Sequence, residues 1–536
     1  MESRFLKSWG SDYVADDVVR FRLWATGQQR VTLRLAGQDK EMTPTDGGWF
    51  ELDVPGVAPG TEYCFVLADG MTVPDPASRA QKADVNGPSL VVDPHAYQWK
   101  NTDWQGRPWE ETVVYEMHIG TFTPEGTFRA AIEKLPYLAQ LGVTMLEVLP
   151  VSQFGGNRGW GYDGVLLYAP HAAYGTPDDF RAFIDAAHGH GLSVVLDIVL
   201  NHFGPEGNYL PLLSPDFFHK DRMTPWGNGI AYDVDAARRY IVEAPLYWLK
   251  EFHLDGLRFD AIDQIEDTSP KHALIEIAER IRTEIADRPA HLTTEDSRNV
   301  IFLHPRNPDG SAPLFTGEWN DDFHNAVHVF ATGETHAYYQ DFADAPEKQV
   351  ARVLAEGFAY QGDVSPQSGE PRGVDSTGQP PVAFVDFIQN HDQVGNRAWG
   401  ERLIELAGRD APECCLRRCC SRRISRCCLW AKSTAKPTRS CSSPISTATW
   451  RKPYAKGARV NLKATATGTA TACRIRMPNR PSRCQNSTGR SRKAKRGGRG
   501  LRSPASCWRC ATGTSCRCSL PQAATAAALW RPRRGL

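Results

Sequence analysis

Four short segments of the chain end in residues able to move protons or carry charge. They are Asp197-Ile198-Val199-Leu200-Asn201-His202, Asp255-Gly256-Leu257-Arg258-Phe259-Asp260, Leu292-Thr293-Thr294-Glu295-Asp296 and Phe384-Val385-Asp386-Phe387-Ile388-Gln389-Asn390-His391-Asp392. Carboxyls gathered in this way can act as nucleophile, as acid or base, or as electrostatic stabiliser. A single acid at a strand end is as often structural as chemical. Several, accompanied by His202, His391 and an arginine two residues before Asp260, point to a shared site. Residues two apart on a strand leave it on the same side, so Arg258 and Asp260 face together. A guanidinium there is expected to keep Asp260 ionised and low in pKa.

The elements that must position these residues follow from the apolar pattern. Val113–Ile119, Val143–Pro150 and Leu192–Leu200 are near-continuous apolar runs, as in parallel strands buried on both faces. Thr176-Pro177-Asp178-Asp179 has a Thr cap, Pro at the first helical position and an acid three residues after the cap, which predicts a helix start. Further helices are predicted over Arg239–Phe252 and Leu274–Ile285. Strand–helix alternation over about 300 residues fits a (β/α)₈ TIM-type barrel, whose active sites lie on the rim where the strands end. No Gly-rich phosphate loop follows these strands, which counts against nucleotide binding. Before the barrel, Val19, Phe21 and Leu23, then Val31, Leu33 and Leu35, then Trp49 to Val54, then Tyr63, Phe65 and Leu67 alternate with polar residues between turn signals. That pattern predicts an all-β sandwich. The expected division is 1–93 sandwich, 94–111 linker, 112–411 barrel and 412–536 tail.

At this point the segments resemble the four signature regions of the α-amylase superfamily of retaining glycosidases, over roughly residues 10–409. An immunoglobulin-like domain before the barrel is also usual in its branching and debranching members. Gly159-Trp160-Gly161-Tyr162-Asp163-Gly164, Trp319-Asn320-Asp321-Asp322-Phe323-His324 and Asn390-His391-Asp392-Gln393-Val394-Gly395-Asn396 are similar to segments of its malto-oligosyltrehalose trehalohydrolase family. The resemblance implies Asp260 as nucleophile, Glu295 as acid/base and Asp392 as the carboxylate that binds the distorted sugar. Retention needs nucleophile and acid ~5–5.5 Å apart, and Glu295 must keep its proton near neutrality, as a poorly solvated carboxyl can. His202 and His391 would hydrogen-bond the same sugar, or be satisfied within the rim. Tyr162 would stack beneath it, or shape a turn between glycines. Asp197 is expected to orient Asn201 and Arg258. Trp319, Asp321, Asp322, Phe323, His324 and Asn325 would line the sites for the trehalose end, unless Trp319 is an exposed loop residue packed on the barrel. Arg258, Asp263, Gln393 and Asn396 complete the implied substrate contacts. The implied partners are malto-oligosyltrehalose and related α-1,4-glucans, with no nucleic acid and no membrane. No cofactor is implied. The remaining histidines form no spaced ligand set, so no metal is expected.

Composition divides the chain sharply. It is 536 residues long, 41% hydrophobic and 23% charged, with a net charge of zero. Yet from Ala411 onward there are 29 Lys and Arg against the single acid Glu413, while the first 410 residues hold 33 bases and 61 acids. Thirteen of the 14 cysteines lie at Cys414 or beyond. Dense Lys and Arg could bind phosphate, but the stretch from Arg490 to Gly500 lacks interleaved aromatics. Neighbouring Cys pairs without partner histidines make a poor zinc module. A shifted reading frame explains more, because CTG for Leu read one base late in a run gives TGC for Cys. The eighth strand in trehalohydrolases resembles Leu-Leu-Phe-Met-Gly-Glu-Glu-Tyr-Gly-Glu. The codons ATG-GGC-GAA-GAG-TAC-GGC-GAA for its second part, shifted by one base, translate as Trp-Ala-Lys-Ser-Thr-Ala-Lys, which is Trp430 to Lys436. Residues from about 412 are therefore read as a frameshifted, unstructured tail, and the barrel is expected to lack its eighth strand. Residues 1–12 carry no apolar signal core and no stretch reaches the ~20 residues of a membrane helix, so a cytoplasmic location is expected.

Overall fold

The computed structural model describes residues 5–408, 410 and 426–428, all within one compact unit. Two antiparallel sheets make the N-terminal sandwich. One has the order Gly10–Ala15, Val18–Trp24, Trp49–Pro55, Thr43–Thr45, and the other has Gln38–Glu41, Val31–Leu35, Glu62–Leu67, Thr72–Val73. Val19, Phe21 and Leu23 bury the inner face of the first sheet, and Val31, Leu33 and Phe65 that of the second, as period-2 alternation requires.

The barrel strands are β1 (Val114–Met117), β2 (Met145–Val148), β3 (Ser193–Ile198), β4 (Gly256–Phe259), β5 (His291–Thr294), β6 (Gly317–Trp319), β7 (Phe384–Phe387) and β8 (Arg426–Cys428), closed in that order. Of the helices, α1 (Pro177–Gly189) starts on a complete capping box in which Thr176 and Asp179 bond each other's backbone N–H. Helix α2 (Asp235–Glu251) begins four residues before the apolar stripe suggested, and α3 is Ala273–Glu284. The sandwich is tied to α2: the Trp9 indole N–H donates to the Ala236 carbonyl at 2.9 Å, and Ser8 donates its hydroxyl and backbone N–H to Glu243, each at 2.7 Å.

Two expectations need correction. Strand β6 falls in a segment read as loop, and Trp319 is its buried last residue rather than an exposed loop tryptophan. Three residues are too few to show a period, and polar neighbours follow at once. The missing eighth strand is the second. Arg426, Cys427 and Cys428 pair in parallel with Val385, Asp386 and Phe387 of β7, and Cys428 also pairs with Val114 of β1. Strand pairing is made by backbone N–H and C=O groups, which β1 and β7 would otherwise leave open. Three residues without proline suffice to satisfy part of that edge whatever their side chains. The remainder of the expected tail lies outside the described residues.

Candidate active site

Register brings the chemistry together. In β3 and β4 Asp197 pairs with Arg258, and in β4 and β5 Arg258 pairs with Thr293 and Phe259 with Thr294. Asp260 and Glu295 are the next residues of their strands, so they emerge side by side at the C-terminal rim. Between them lies the Arg258 guanidinium, 1% exposed. Its Nη1 donates to Asp197 Oδ2 at 2.6 Å and to Asp260 Oδ1 at 3.1 Å, and its Nη2 is 2.8 Å from Glu295 Oε2. Asn201 Nδ2 donates to the Asp260 carbonyl at 2.8 Å, so Asp197 and Asn201 both hold this centre. The backbone N–H of Ala261 donates to Glu295 Oε2 at 3.0 Å. Ala261 has φ of 41°, a left-handed conformation that costs a non-glycine residue energy. The strained residue thus follows Asp260 directly and holds the Glu295 carboxyl.

Burial dominates the electrostatics. It pushes Glu295 up to about 7, with Arg258 opposing and Asp260 and Asp392 adding to the rise. The expectation that Arg258 would depress Asp260 is not met. Burial raises Asp260 first, Arg258 pulls it down, and the Asp197 and Asp392 carboxylates add to the rise. An arginine shared among several acids cannot neutralise each of them.

Asp392 lies on a short helix, His391–Gly395, whose Asn390 cap accepts the Asp392 N–H at 2.9 Å. The Gln393 side chain is the other half of that capping box, its oxygen accepting the Asn390 N–H at 2.8 Å, and Asn396 closes the helix. His391 Nε2 is 3.6 Å from Asp392 Oδ1. Tyr162 stacks on His391 at 5.0 Å between centroids, and its hydroxyl donates to Asp197 at 2.6 Å. Gly161 before it has φ of 100°, and a Cβ there would sit 1.9 Å from the Pro150 carbonyl oxygen, so only glycine lets Tyr162 reach this position. His202 donates Nε2–H to the Tyr162 carbonyl at 2.9 Å and stacks on Trp226 at 4.3 Å. Burial lowers its pKa to about 4, so the ring is neutral at pH 7. Trp226 sits between the strands of a hairpin, Phe218–Thr224 and Gly227–Ile230, that has no alternating apolar signal and that sequence reasoning missed.

The segment after β6 divides. Burial raises Asp321 to about 8, and Glu295 and Asp392 add to the rise, which sets this carboxyl electrostatically among the acids of the rim. The residues after it are bonded or packed within the fold. Asp322 accepts from Asn299 Nδ2, from the N–H groups of Ala359 and Tyr360, and from Arg372. Phe323 is core, and His324 contacts the Ile388 carbonyl and the Tyr339 hydroxyl. Asn325 is buried on the same helix, α4 (Asp321–Thr332). Trp319 packs inside the barrel with Val195, Val385 and Phe387, under the Arg258 guanidinium at 5.5 Å. Asp263 accepts from the Ser297 hydroxyl at 2.8 Å beside the Asp260 turn. Sequence reasoning also missed Glu116 and Glu147, register partners in β1 and β2 whose carboxyls lie inside the barrel. A polar residue within an apolar strand is their one signal. Among the described residues no set of three His, Cys, Asp or Glu is arranged to hold a metal ion, and no helix is long and apolar enough to cross a membrane.

Residues 92–212 match the family model of the α-amylase catalytic domain. A malto-oligosyltrehalose trehalohydrolase of Deinococcus radiodurans is 44% identical over 391 residues, covering 73% of this chain and 63% of its own. One from Saccharolobus solfataricus is 42% identical over 400 residues, covering 74% of this chain and 70% of its own. A solved structure described as a putative alpha amylase from Salmonella typhimurium shares 77% identity, with a TM-score of 0.79 over 80% of this chain and 73% of that one. The chain thus spans less than two thirds of the Deinococcus relative. With its sandwich, its α-amylase-type barrel and this degree of identity, it belongs to the malto-oligosyltrehalose trehalohydrolase family.

Proposed function

We propose that this chain hydrolyses the α-1,4-glucosidic bond next to the trehalose unit of malto-oligosyltrehalose, releasing trehalose with retention of configuration. The observation that carries the reading is the single Arg258 guanidinium bonded to both Asp260 and Glu295. That bridge makes the two carboxyls neighbours, as a double displacement needs. Asp260 attacks the anomeric carbon while Glu295, held protonated by burial, gives its proton to the leaving oxygen. Water then attacks the glycosyl-enzyme ester, Glu295 takes the proton back, and Asp260 leaves. Asp392 and His391 bind hydroxyls of the distorted sugar, Tyr162 stacks beneath it, and Asp321 faces the trehalose side. Soluble glucans of the cytoplasm are the substrates.

Incubation of the full chain with maltosyltrehalose and with amylose tests this. Free trehalose is the expected product, its partner sugar appearing first as the α-anomer. Branched glucan without trehalose would assign a branching enzyme instead.

The frame of the C-terminal part belongs to the same reading. The 391 matched residues leave about a quarter of this chain and more than a third of the Deinococcus relative unpaired. Two unmatched remainders are what a change of frame near residue 412 produces. Resequencing the codons for residues 400–430 decides it.

A further inference from the structure

We propose that Glu116, on the first barrel strand, is a positioning residue that fixes the ring and the proton of His391 opposite Asp392. Its carboxylate, 0% exposed, grips His391 twice: Oε1 is 2.6 Å from ring Nδ1, and Oε2 accepts the His391 backbone N–H at 3.1 Å. With Nδ1–H committed to Glu116, the remaining nitrogen is the one that lies 3.6 Å from Asp392 Oδ1. Tyr162 covers one face of the ring, and Trp160 meets it edge-on at 5.5 Å. Held in this way, the ring has one orientation left, with Nε2 toward the carboxylate of the rim.

The charges around His391 come from every neighbouring element. Glu116 on β1, Glu147 on β2, Asp197 on β3 and Asp392 favour the imidazolium, while Arg258 on β4 opposes it. Among the described residues, His118 after β1, the Tyr162 phenol and Arg402, which interacts electrostatically with Glu116, also belong to these surroundings. Burial alone would discharge the ring; Glu116 first, and then Asp392, more than offset it and raise His391 to about 10. The register partner Glu147 is driven well above its ordinary value by burial, with Arg258 opposing and Glu116 adding. Of these two adjacent carboxyls, burial thus disfavours the charged form of Glu147, while Glu116 is the one that grips His391. An imidazolium beside Asp392 offers Nε2–H to a sugar hydroxyl or to Asp392 itself, and it persists until pH rises toward about 10.

This inference rests on the proposed role of Asp392, so its test has an arm that needs no turnover. The full chain is labelled with ¹³Cε1-histidine, and the His391 signal is identified by its loss in His391→Gln. Its shift should stay at the imidazolium position from about pH 6 to about pH 9, and in Glu116→Gln it should titrate near the ordinary value of ~6.5. A His391 that titrates near neutrality in the unsubstituted chain overturns the inference, as does a titration unchanged by Glu116→Gln. In the activity arm, Glu116→Gln should lower kcat on maltosyltrehalose about tenfold more at pH ~8 than at pH ~5.5 with KM little changed. Glu116→Asp, which keeps the charge, should remove most of that pH dependence. Equal loss at every pH would reduce Glu116 to a structural residue. If no substrate is turned over, the function proposal fails while the titration still decides this one.

Discussion

Asp260 and Asp322 both follow a barrel strand closely, and both lie buried beside an arginine, yet they differ in how much of each carboxylate is already committed. Asp322 receives three bonds on Oδ2, at 2.8, 2.8 and 3.0 Å, and one on Oδ1 from Arg372 at 2.6 Å. Asp260 receives one short bond, from Arg258 at 3.1 Å, and a long one from Asn201 at 3.4 Å. Its arginine is moreover shared with Asp197 and Glu295. A carboxylate with four donors has little capacity left for a substrate; one with a single short bond keeps lone pairs for a reacting carbon. Unspent hydrogen-bonding capacity in a buried acid, more than the acid itself, separates chemistry from scaffold.

The largest effects should follow from removing the uncommitted groups. Asp260→Asn or Glu295→Gln is expected to cut kcat for trehalose release by several orders of magnitude while leaving the melting temperature and substrate binding nearly unchanged. Rates close to the parent in Asp260→Asn would sink the assignment. Asp322→Ala is the converse. It takes the acceptor from Asn299 Nδ2 and two backbone N–H groups and leaves Arg372 with Asp341 as its carboxylate, at a cost of about 1–3 kcal/mol in a denaturant titration, with kcat per folded molecule largely retained. Loss of turnover without loss of stability would move Asp322 from the scaffold to the site.

This contrast also shows what could be read from residues alone. Asp197, Arg258, Asp260 and Glu295 were legible because strand period and register dictate which side chains share a rim, and the apolar runs fixed the strands. Asp322, Phe323 and His324 read as substrate-facing because a chain of letters does not show which partners, such as Ala359 or Arg372, come from distant segments. Trp319 was misjudged for a local reason: a three-residue strand cannot display a period. The eighth strand was misjudged because backbone pairing is indifferent to the side chains used to judge it. The low pKa expected for Asp260 counts its arginine but not the burial that raises it first, nor the Asp197 and Asp392 carboxylates that add to the rise.

Proton inventory gives a smaller, graded effect. Glu295 must be protonated to act as the acid, and its value in the folded chain is raised from the usual carboxylate range to about 7. The protonated form therefore persists below about 7 and is lost above it, so kcat/KM should fall tenfold per pH unit on the alkaline side, and fall again on the acid side where the raised Asp260 takes up its proton. The same raised value makes this carboxyl a stability contribution that is complete below its unfolded value and lost as pH rises through about 7. An alkaline limb near the ordinary carboxylate range would show that Glu295 is better solvated than its position implies.

The smallest expected effect falls on Gln393. It stands beside Asp392, in the place of a substrate contact, but its side-chain oxygen already accepts the Asn390 N–H, and Asn390 in turn caps the Asp392 N–H. If that commitment decides its role as it does for Asp322, Gln393→Ala removes half of a capping box and costs about 1 kcal/mol. The loss is local to a helix of five residues, so it should appear as faster amide exchange at Asn390 with only a slight fall in melting temperature. KM for maltosyltrehalose should rise little, and Gln393→Glu, which restores an acceptor at the same reach, should recover most of the exchange protection. A KM rise of tenfold or more in Gln393→Ala with protection intact would mean that the amide nitrogen, the half of the side chain not used in the cap, binds sugar. That outcome would limit the rule of committed capacity to carboxylates, whose two oxygens are equivalent, and exclude amides, whose two ends are not.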